Sequence, residues 1–404
     1  MSAYACEPGK GSEPGVGWNF ATGAAKHHQV WVLTRANNRT AIETELEKKN
    51  IPNLHFIYHD LPIWARWWKR GGRGVQLYYY LWQMSAYFPA KALQQKIGFD
   101  LAHHVTFVKY WTPSFLALLD IPYIWGPVGG GEAAPFSFWK TFGIQGFFFE
   151  LLRIIAQRFG ETDPLVRKTA KRATIALAAT KETKQRLDKL QTRQTLLMSQ
   201  VGMSSDALDV LARFTLKTDV SICFIGMGNL LAWKGVHLGL KAFAAANISD
   251  AQYWLIGSGP ERRKLEKLTQ KLNIQDRVHF LGQLPRQDAL KTLAKGSILV
   301  HPSLHDSGGW VIQEAMALGK PVICLDLGGP ALQVTAETGI KVSAITPQQT
   351  IQDLAKAMRK LAHDNELCRK MGQAGKLRTH QIHAWENKLE TLNYLYQKSI
   401  QERN

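Results

Sequence analysis

The sequence predicts an α/β fold of parallel sheets divided between two domains, on three observations. Short apolar runs bounded by glycine and polar residues recur along the chain and alternate with stretches of helical spacing, the pattern of βα units. The 404 residues exceed one typical core and suit two domains of roughly 150 residues each. Hydrophobic residues make up 45% and charged residues 20%, the balance of a globular chain rather than a disordered one.

Met1 to Cys6 reads as the tail of a first strand. Residues 11–18, GSEPGVGW, read as a Gly-rich strand-to-helix turn ahead of a helix through Ala21, Ala24 and Ala25. Such a turn lets backbone approach a ligand closely. It is not a dinucleotide fingerprint, because Phe20 stands where the last glycine of GxGxxG belongs. Taken alone it is equally a tight turn and a site. Val30 to Thr34 and Asn53 to Tyr58 are the next strands.

From Ile63 to Lys91, Trp64, Trp67, Trp68, Tyr78, Tyr79, Tyr80, Trp82 and Tyr87 interleave with Arg66, Lys69, Arg70 and Arg73. Phe147, Phe148 and Phe149, with Arg153, Arg158, Arg167, Lys168, Lys171 and Arg172 downstream, repeat the theme. Aromatic and basic residues together suit the headgroup layer of an anionic bilayer. The plainer reading packs the aromatics in a core and solvates the charges; membrane contact is the expectation carried forward.

Phe99 to Thr106 is a strand containing His103 and His104, which alternation sends to opposite faces. Ile124 to Val128 is another, followed by Gly129-Gly130-Gly131 as a wide, flexible turn. Thr174 to Ala179 is a strand and Thr180 to Leu190 a helix. A linker falls between Gly202 and Asp219, before a fresh strand at Val220 to Ile225 and a glycine-rich turn at Gly226 to Gly235. Tyr253 to Pro260 is strand and turn, Glu261 to Leu272 a basic helix, and Val278 to Gly282 a strand. Ala384 to Tyr396 is amphipathic.

The stretch 301–330, HPSLHDSGGWVIQEAMALGKPVICLDLGGP, carries the most information. An apolar run at Ser297 to Val300 leads into a polar loop, Ser303 to Gly309. Trp310, Ile312, Ala315, Met316 and Leu318 then recur at helical spacing until Gly319, and Pro321 to Leu325 is the next strand, with a turn at Leu327 to Pro330. The loop therefore lies at the carboxyl end of a parallel strand, where open sheets bind ligands. Asp306 and Glu314 lie about a dozen ångströms apart at 1.5 Å rise per residue, too far to share a proton but suited to gripping two ends of one ligand. The helix start at Gly308-Gly309-Trp310 favours a phosphate through its free N–H groups and dipole. Either acid alone reads as an N-cap or a surface glutamate; the spacing in this setting favours a site.

The net charge of +18 calls for an anionic partner: nucleic acid, a membrane surface or a phosphorylated small molecule. No helix-turn-helix, RNP motif or zinc finger supports nucleic acid. Cys6, Cys223, Cys324 and Cys368 are scattered without metal-ligand spacing, which reads as reduced thiols of a cytoplasmic protein. Neither a signal peptide nor an 18-residue apolar run is present. No GxxxxGK[ST], HExxH, G-x-S-x-G or Asp-x-Asp occurs.

A carboxylate, seven residues, a glutamate and then Ala-Met-Ala-x-Gly-x-Pro-Val resembles the signature of family 4 of the retaining glycosyltransferases, with Asp306 where that family usually has Glu. The resemblance covers nearly the whole chain, and is most specific at 301–330. It implies the GT-B fold, with two Rossmann-like domains across a deep cleft: 1–202 for the acceptor, 203–385 for the nucleotide sugar, and 386–404 as a helix crossing back to the first domain. Relatives of this type carry an apolar run upstream of Met1, implying an earlier start.

The resemblance also implies roles. Asp306 contacts the donor sugar and His103, with His104 as the alternative, faces the reacting centre. Gly15, Lys234, Gly308, Gly309, Trp310, Val311, Glu314 and Leu281 hold the donor, with Glu314 on the ribose and the strand of Leu281 beside the base. Asn229 stands where an Arg is expected, which removes one fixed cation from the diphosphate site. The implied reaction is metal-independent, retaining transfer from a nucleotide diphosphate sugar to a saccharide or lipid-linked acceptor at the inner face of the plasma membrane. No cofactor, metal or nucleic-acid partner is implied. A nucleotide-sugar isomerase of the same fold and a non-catalytic membrane-binding relative stand as alternatives.

Overall fold

The structure, a computed structural model, describes residues 1–69, 74–214 and 222–402. Its described chain separates into two compact units. One holds Met1–Gly131, Ile154–Val201 and the residues from Trp385 on; the other holds Glu132–Arg153 and Gly202–Ala384. Residues 132–153 thus belong to the second unit, although they precede the expected boundary at 202.

Strands of the first unit are β1 (Val30–Thr34), β2 (Leu54–Tyr58), β3 (Ala102–His104), β4 (Tyr123–Val128), β5 (Ile175–Ala178) and β6 (Thr195–Leu197). Ser2 bridges Leu33 of β1 and His104 of β3, both in parallel. The resulting order is β2-β1-Ser2-β3-β4-β5-β6, with the first chain segment in the middle. That is a doubly wound order.

The second unit holds β7 (Ile222–Met227), β8 (Ala251–Ile256), β9 (Val278–Gly282), β10 (Ile298–His301), β11 (Val322–Leu325) and β12 (Gly339–Val342). They form one parallel sheet ordered β12-β11-β10-β7-β8-β9. The chain leaves the middle in one direction through β8 and β9, then in the other from β10. The order reverses between β7 and β10, and ligands of open parallel sheets bind beyond the carboxyl ends of the strands at such a point.

Continuous apolar runs were required for this. β10 and β11 are buried along their whole length, as central parallel strands covered on both faces must be. The helix Trp310–Ala317 packs Ile312, Ala315 and Met316, all 0% exposed, against Leu299, Val322 and Cys324. Full burial of Ile312 or Met316 contributes about 1.5–3 kcal/mol, so the helix that carries Glu314 is fixed to the sheet.

Several local readings are corrected. Residues 12–18 form the first turns of the helix Ser12–Ala24, not an open turn. Its glycines serve packing, since a Cβ on Gly17 would lie 2.2 Å from the Ala5 carbonyl oxygen. The turn expected at Leu327 to Pro330 enters a short helix, Gly328–Gln333. Gly131 is not loose either, because its Cβ would meet the Thr183 backbone at 2.4 Å. Tyr78, Tyr79 and Trp82 are core residues, whereas Trp64 and Trp67 are exposed. Within the expected linker, Ser205–Ala212 is helical. Arg70, Arg73 and residues 215–221, including the start of the expected strand at Val220, lie outside the described residues.

Candidate active site at the carboxyl edge of the second sheet

Two loops meet where the strand order reverses. After β7 the chain runs through Gly228 and Asn229 into a single turn, Ala232–Lys234, closed by Gly235. After β10 it runs through Pro302 to Gly309. Gly235 has φ +67, and a Cβ there would lie 1.9 Å from the Pro302 carbonyl oxygen. Only glycine permits that approach. The Leu304 N–H donates to the Trp233 carbonyl at 2.8 Å, closing the pair of loops.

This contact brings Lys234 to Asp306. The Lys234 Nζ lies 2.5 Å from Asp306 Oδ2, and His301, the last residue of β10, places Nε2 3.1 Å from the same oxygen. Asp306 Oδ1 accepts from the Gly308 and Gly309 N–H groups at 3.2 and 3.1 Å. Gly309 is the N-cap of the helix Trp310–Ala317 and has φ +70. Burial alone would raise the Asp306 pKa, but the His301 hydrogen bond and the Lys234 charge outweigh it and hold the carboxyl well below the usual range. One cation and two helix-start amides thus converge on a single anionic group.

Glu314 lies two turns into that helix and is 1% exposed. Arg286, opening the helix after β9, places a guanidinium nitrogen 2.5 Å from Glu314 Oε1, an ion pair without hydrogen-bond alignment. Burial raises the Glu314 pKa and Arg286 partly opposes the shift. The buried carboxylate is thus paired with Arg286 through Oε1.

A second set of contacts braces the loop. His305 Nε2 lies 2.7 Å from Glu150 Oε1, and Arg153 lies 3.3 Å from Glu150 Oε2. Burial pushes the Glu150 pKa up, but His305 and Arg153 bring it below the ordinary value. Trp233 is stacked between Phe149, at 4.8 Å, and His305, at 5.4 Å. The Ser307 hydroxyl donates to Glu132 at 2.9 Å. Glu132, Phe149, Glu150 and Arg153 all come from the 132–153 segment.

The structure therefore joins Lys234, Asp306, Gly308 and Gly309 directly. Asn229 is exposed in the depression that Lys234 and His301 also line. Trp310 is half-buried and Val311 is 6% exposed, both in the first helical turn. Leu281 lies on the edge strand β9, 37% exposed and outside the cluster. Gly15 is a buried packing position, where a Cβ would meet the Lys10 carbonyl oxygen at 2.0 Å. His103 is 2% exposed, with Nδ1 2.6 Å from the Tyr396 hydroxyl and Nε2 2.6 Å from the Gly126 carbonyl oxygen. His104 points to the opposite face, toward Tyr79 and Gln83. Both ring nitrogens of His103 are therefore engaged inside its own unit.

Sequence reasoning passed over His301, His305 and Arg286. His301 and His305 had a usable signal: a polar ring ending a buried strand and another just before Asp306. Arg286 had none, since its partner is 28 positions away in sequence.

Residues 213–378 match the family described as Glycosyl transferases group 1. The lipopolysaccharide core biosynthesis glycosyltransferase LpsD of Rhizobium meliloti is 32% identical over 165 residues, 41% of this chain and 46% of that protein. A GDP-mannose-dependent monoacylated alpha-(1-6)-phosphatidylinositol monomannoside mannosyltransferase of Corynebacterium glutamicum is 31% identical over 193 residues, 46% of this chain and 48% of that protein. The matched segments span less than half the length of these relatives. Among solved structures, a sucrose-phosphate synthase from Thermosynechococcus elongatus superposes with a TM-score of 0.66 at 22% identity, covering 97% of this chain and 94% of that one. The likeness shows the fold: two Rossmann-like units, the GT-B architecture.

Proposed function

We propose that this protein, whose residues 213–378 match the family described as Glycosyl transferases group 1, moves a sugar from a nucleotide diphosphate sugar to a hydroxyl of a saccharide or lipid-linked acceptor, with retention of configuration and without a metal. The observation that carries the reading is the convergence of Lys234 and the Gly308 and Gly309 amides on one anionic group where the strand order reverses. A diphosphate that took the place of the Asp306 carboxylate would find the same donors. Lys234 and the helix start then neutralise charge on the leaving group, a preorganised electrostatic contribution. Asp306, once displaced, is available to the donor sugar, and Glu314 accepts from the ribose hydroxyls.

In the proposed step the acceptor oxygen bonds to the anomeric carbon as the bond from that carbon to the phosphate oxygen breaks. The acceptor proton passes to the leaving phosphate on the same face, and a nucleoside diphosphate departs. His301 orients Asp306 through the Nε2–H that faces Oδ2. The names of the similar proteins, which refer to lipopolysaccharide core and phosphatidylinositol mannoside, support a saccharide or lipid acceptor. An anionic membrane surface, at the cytoplasmic face, is the proposed setting.

The test is turnover of labelled UDP-, GDP- and ADP-sugars with lipid-linked saccharide extracts. One donor is expected to be consumed with product formed, and Lys234→Ala to lower kcat by about 10²–10³-fold, the scale of losing one charge-stabilising donor. Consumption of none of the donors, or undiminished turnover in Lys234→Ala, would rule the reading out.

A further inference from the structure

The helix Gly143–Thr162 is built inside out. Glu150 and Gln157 turn inward, while Gln145 and Arg158 are exposed. Glu150 is fully buried against His305 and Arg153. Gln157 is 2% exposed and donates from Nε2 to the Gly130 carbonyl at 2.8 Å. Gly160 follows on the same side, where a Cβ would come within 2.3 Å of the Trp111 side chain.

Its apolar side chains turn outward. Ile144, Phe148, Leu152, Ile155 and Phe159 succeed one another at spacings of four, four, three and four, which stack them along one face. They are 78, 56, 64, 41 and 72% exposed respectively. At 1.5 Å per residue the stripe is about 22 Å long. An ordinary amphipathic helix buries such a face, and contiguous exposed apolar surface of this kind marks an interaction site.

Charge decides what covers it. Lys140, Arg158, Arg167, Lys168 and Lys171 are exposed beside the stripe in sequence, and residues 140–172 hold seven Lys and Arg against three acids. A second copy of the chain would set +18 against +18. An anionic bilayer offers both an acyl layer and opposite charge. We propose that the helix Gly143–Thr162 lies in the surface of an anionic membrane, with Ile144, Phe148, Leu152, Ile155 and Phe159 among the acyl chains. The inference rests on the membrane setting proposed above but on no step of sugar transfer.

Sedimentation of the full chain with vesicles tests it, using phosphatidylglycerol mixed with phosphatidylcholine against phosphatidylcholine alone. The wild type is expected to bind the anionic vesicles at least about tenfold more strongly, and Leu152→Glu with Phe159→Glu to lose that binding by at least about tenfold. The neutral pair Leu152→Ser and Phe159→Ser is expected to lose it too, without any added charge. Thermal shifts with nucleotides should be the same in these variants as in the wild type, which separates loss of docking from loss of folding or of the donor site. Unchanged vesicle binding in both variants would overturn the proposal, as would equal binding to the two vesicle types. A wild-type dimer by light scattering that becomes monomeric in the variants would assign the stripe to a second copy and overturn it as well.

Discussion

Asp306 is the residue on which the site turns. It accepts from Lys234, His301, Gly308 and Gly309 at once, so its ionised form is favoured by the fold. A carboxyl whose folded pKa is depressed adds stability above its unfolded value of about 3.9, and that contribution is lost as pH falls through the folded value. Asp306→Asn is therefore expected to cost about 1–3 kcal/mol at pH 7, with the difference from wild type shrinking below about pH 4. Urea denaturation at pH 7 and pH 3.5 measures it; a pH-independent difference would contradict the assignment. His103 and His104 are shifted in the same direction, but by burial of a neutral ring rather than by pairing of a charge. Burial lowers each to about 3, so each is neutral when folded and protonates on unfolding. Their contribution is complete above about pH 6.5 and falls by about 1.4 kcal/mol per pH unit per histidine below it. His103→Gln should flatten the loss of stability between pH 6.5 and 5 by one proton's worth, and an unchanged slope would show that His103 titrates normally.

At the scale of elements, the 132–153 segment braces the strand-end loop through Glu150. That carboxylate is fully buried between His305 and Arg153. Removing one partner of a buried ion pair costs about 3–5 kcal/mol, so Glu150→Ala is expected to destabilise the protein by that order in chemical denaturation. A loss below about 1 kcal/mol would show that the bracing is dispensable. None of this could be read from the chain, because Glu150 and His305 lie 155 positions apart and no local pattern pairs them. What could be read was periodic and local: the buried strands of the second sheet, the helix carrying Glu314, and the glycine beside Lys234. The 11–18 glycines misled because packing against Ala5 and approach to a ligand demand the same residue. The aromatics from Ile63 to Lys91 divided, since the helical spacing that buries Tyr78, Tyr79 and Trp82 does not reach Trp64 and Trp67.

Across the whole molecule, two doubly wound sheets place their first chain segment in the middle, and the second sheet assembles its cluster at the reversal of strand order. The net charge of +18 acts over longer distances than any of these contacts. Raising salt from 0.1 M to 1 M shortens the screening length from about 10 Å to about 3 Å, so binding to anionic vesicles should weaken steeply over that range; salt-insensitive binding would show that charge plays no part. Among the described residues no helix is long and apolar enough to cross a membrane. The cluster of Lys234, Asp306 and the helix start is the proposed diphosphate site. Calorimetric titration of UDP, GDP and ADP into wild type and Lys234→Ala tests it most directly. One nucleotide is expected to bind the wild type, with affinity at least about tenfold lower in the variant, the loss of one charge-assisted contact. Binding by none of the three, or equal binding by both proteins, would contradict it.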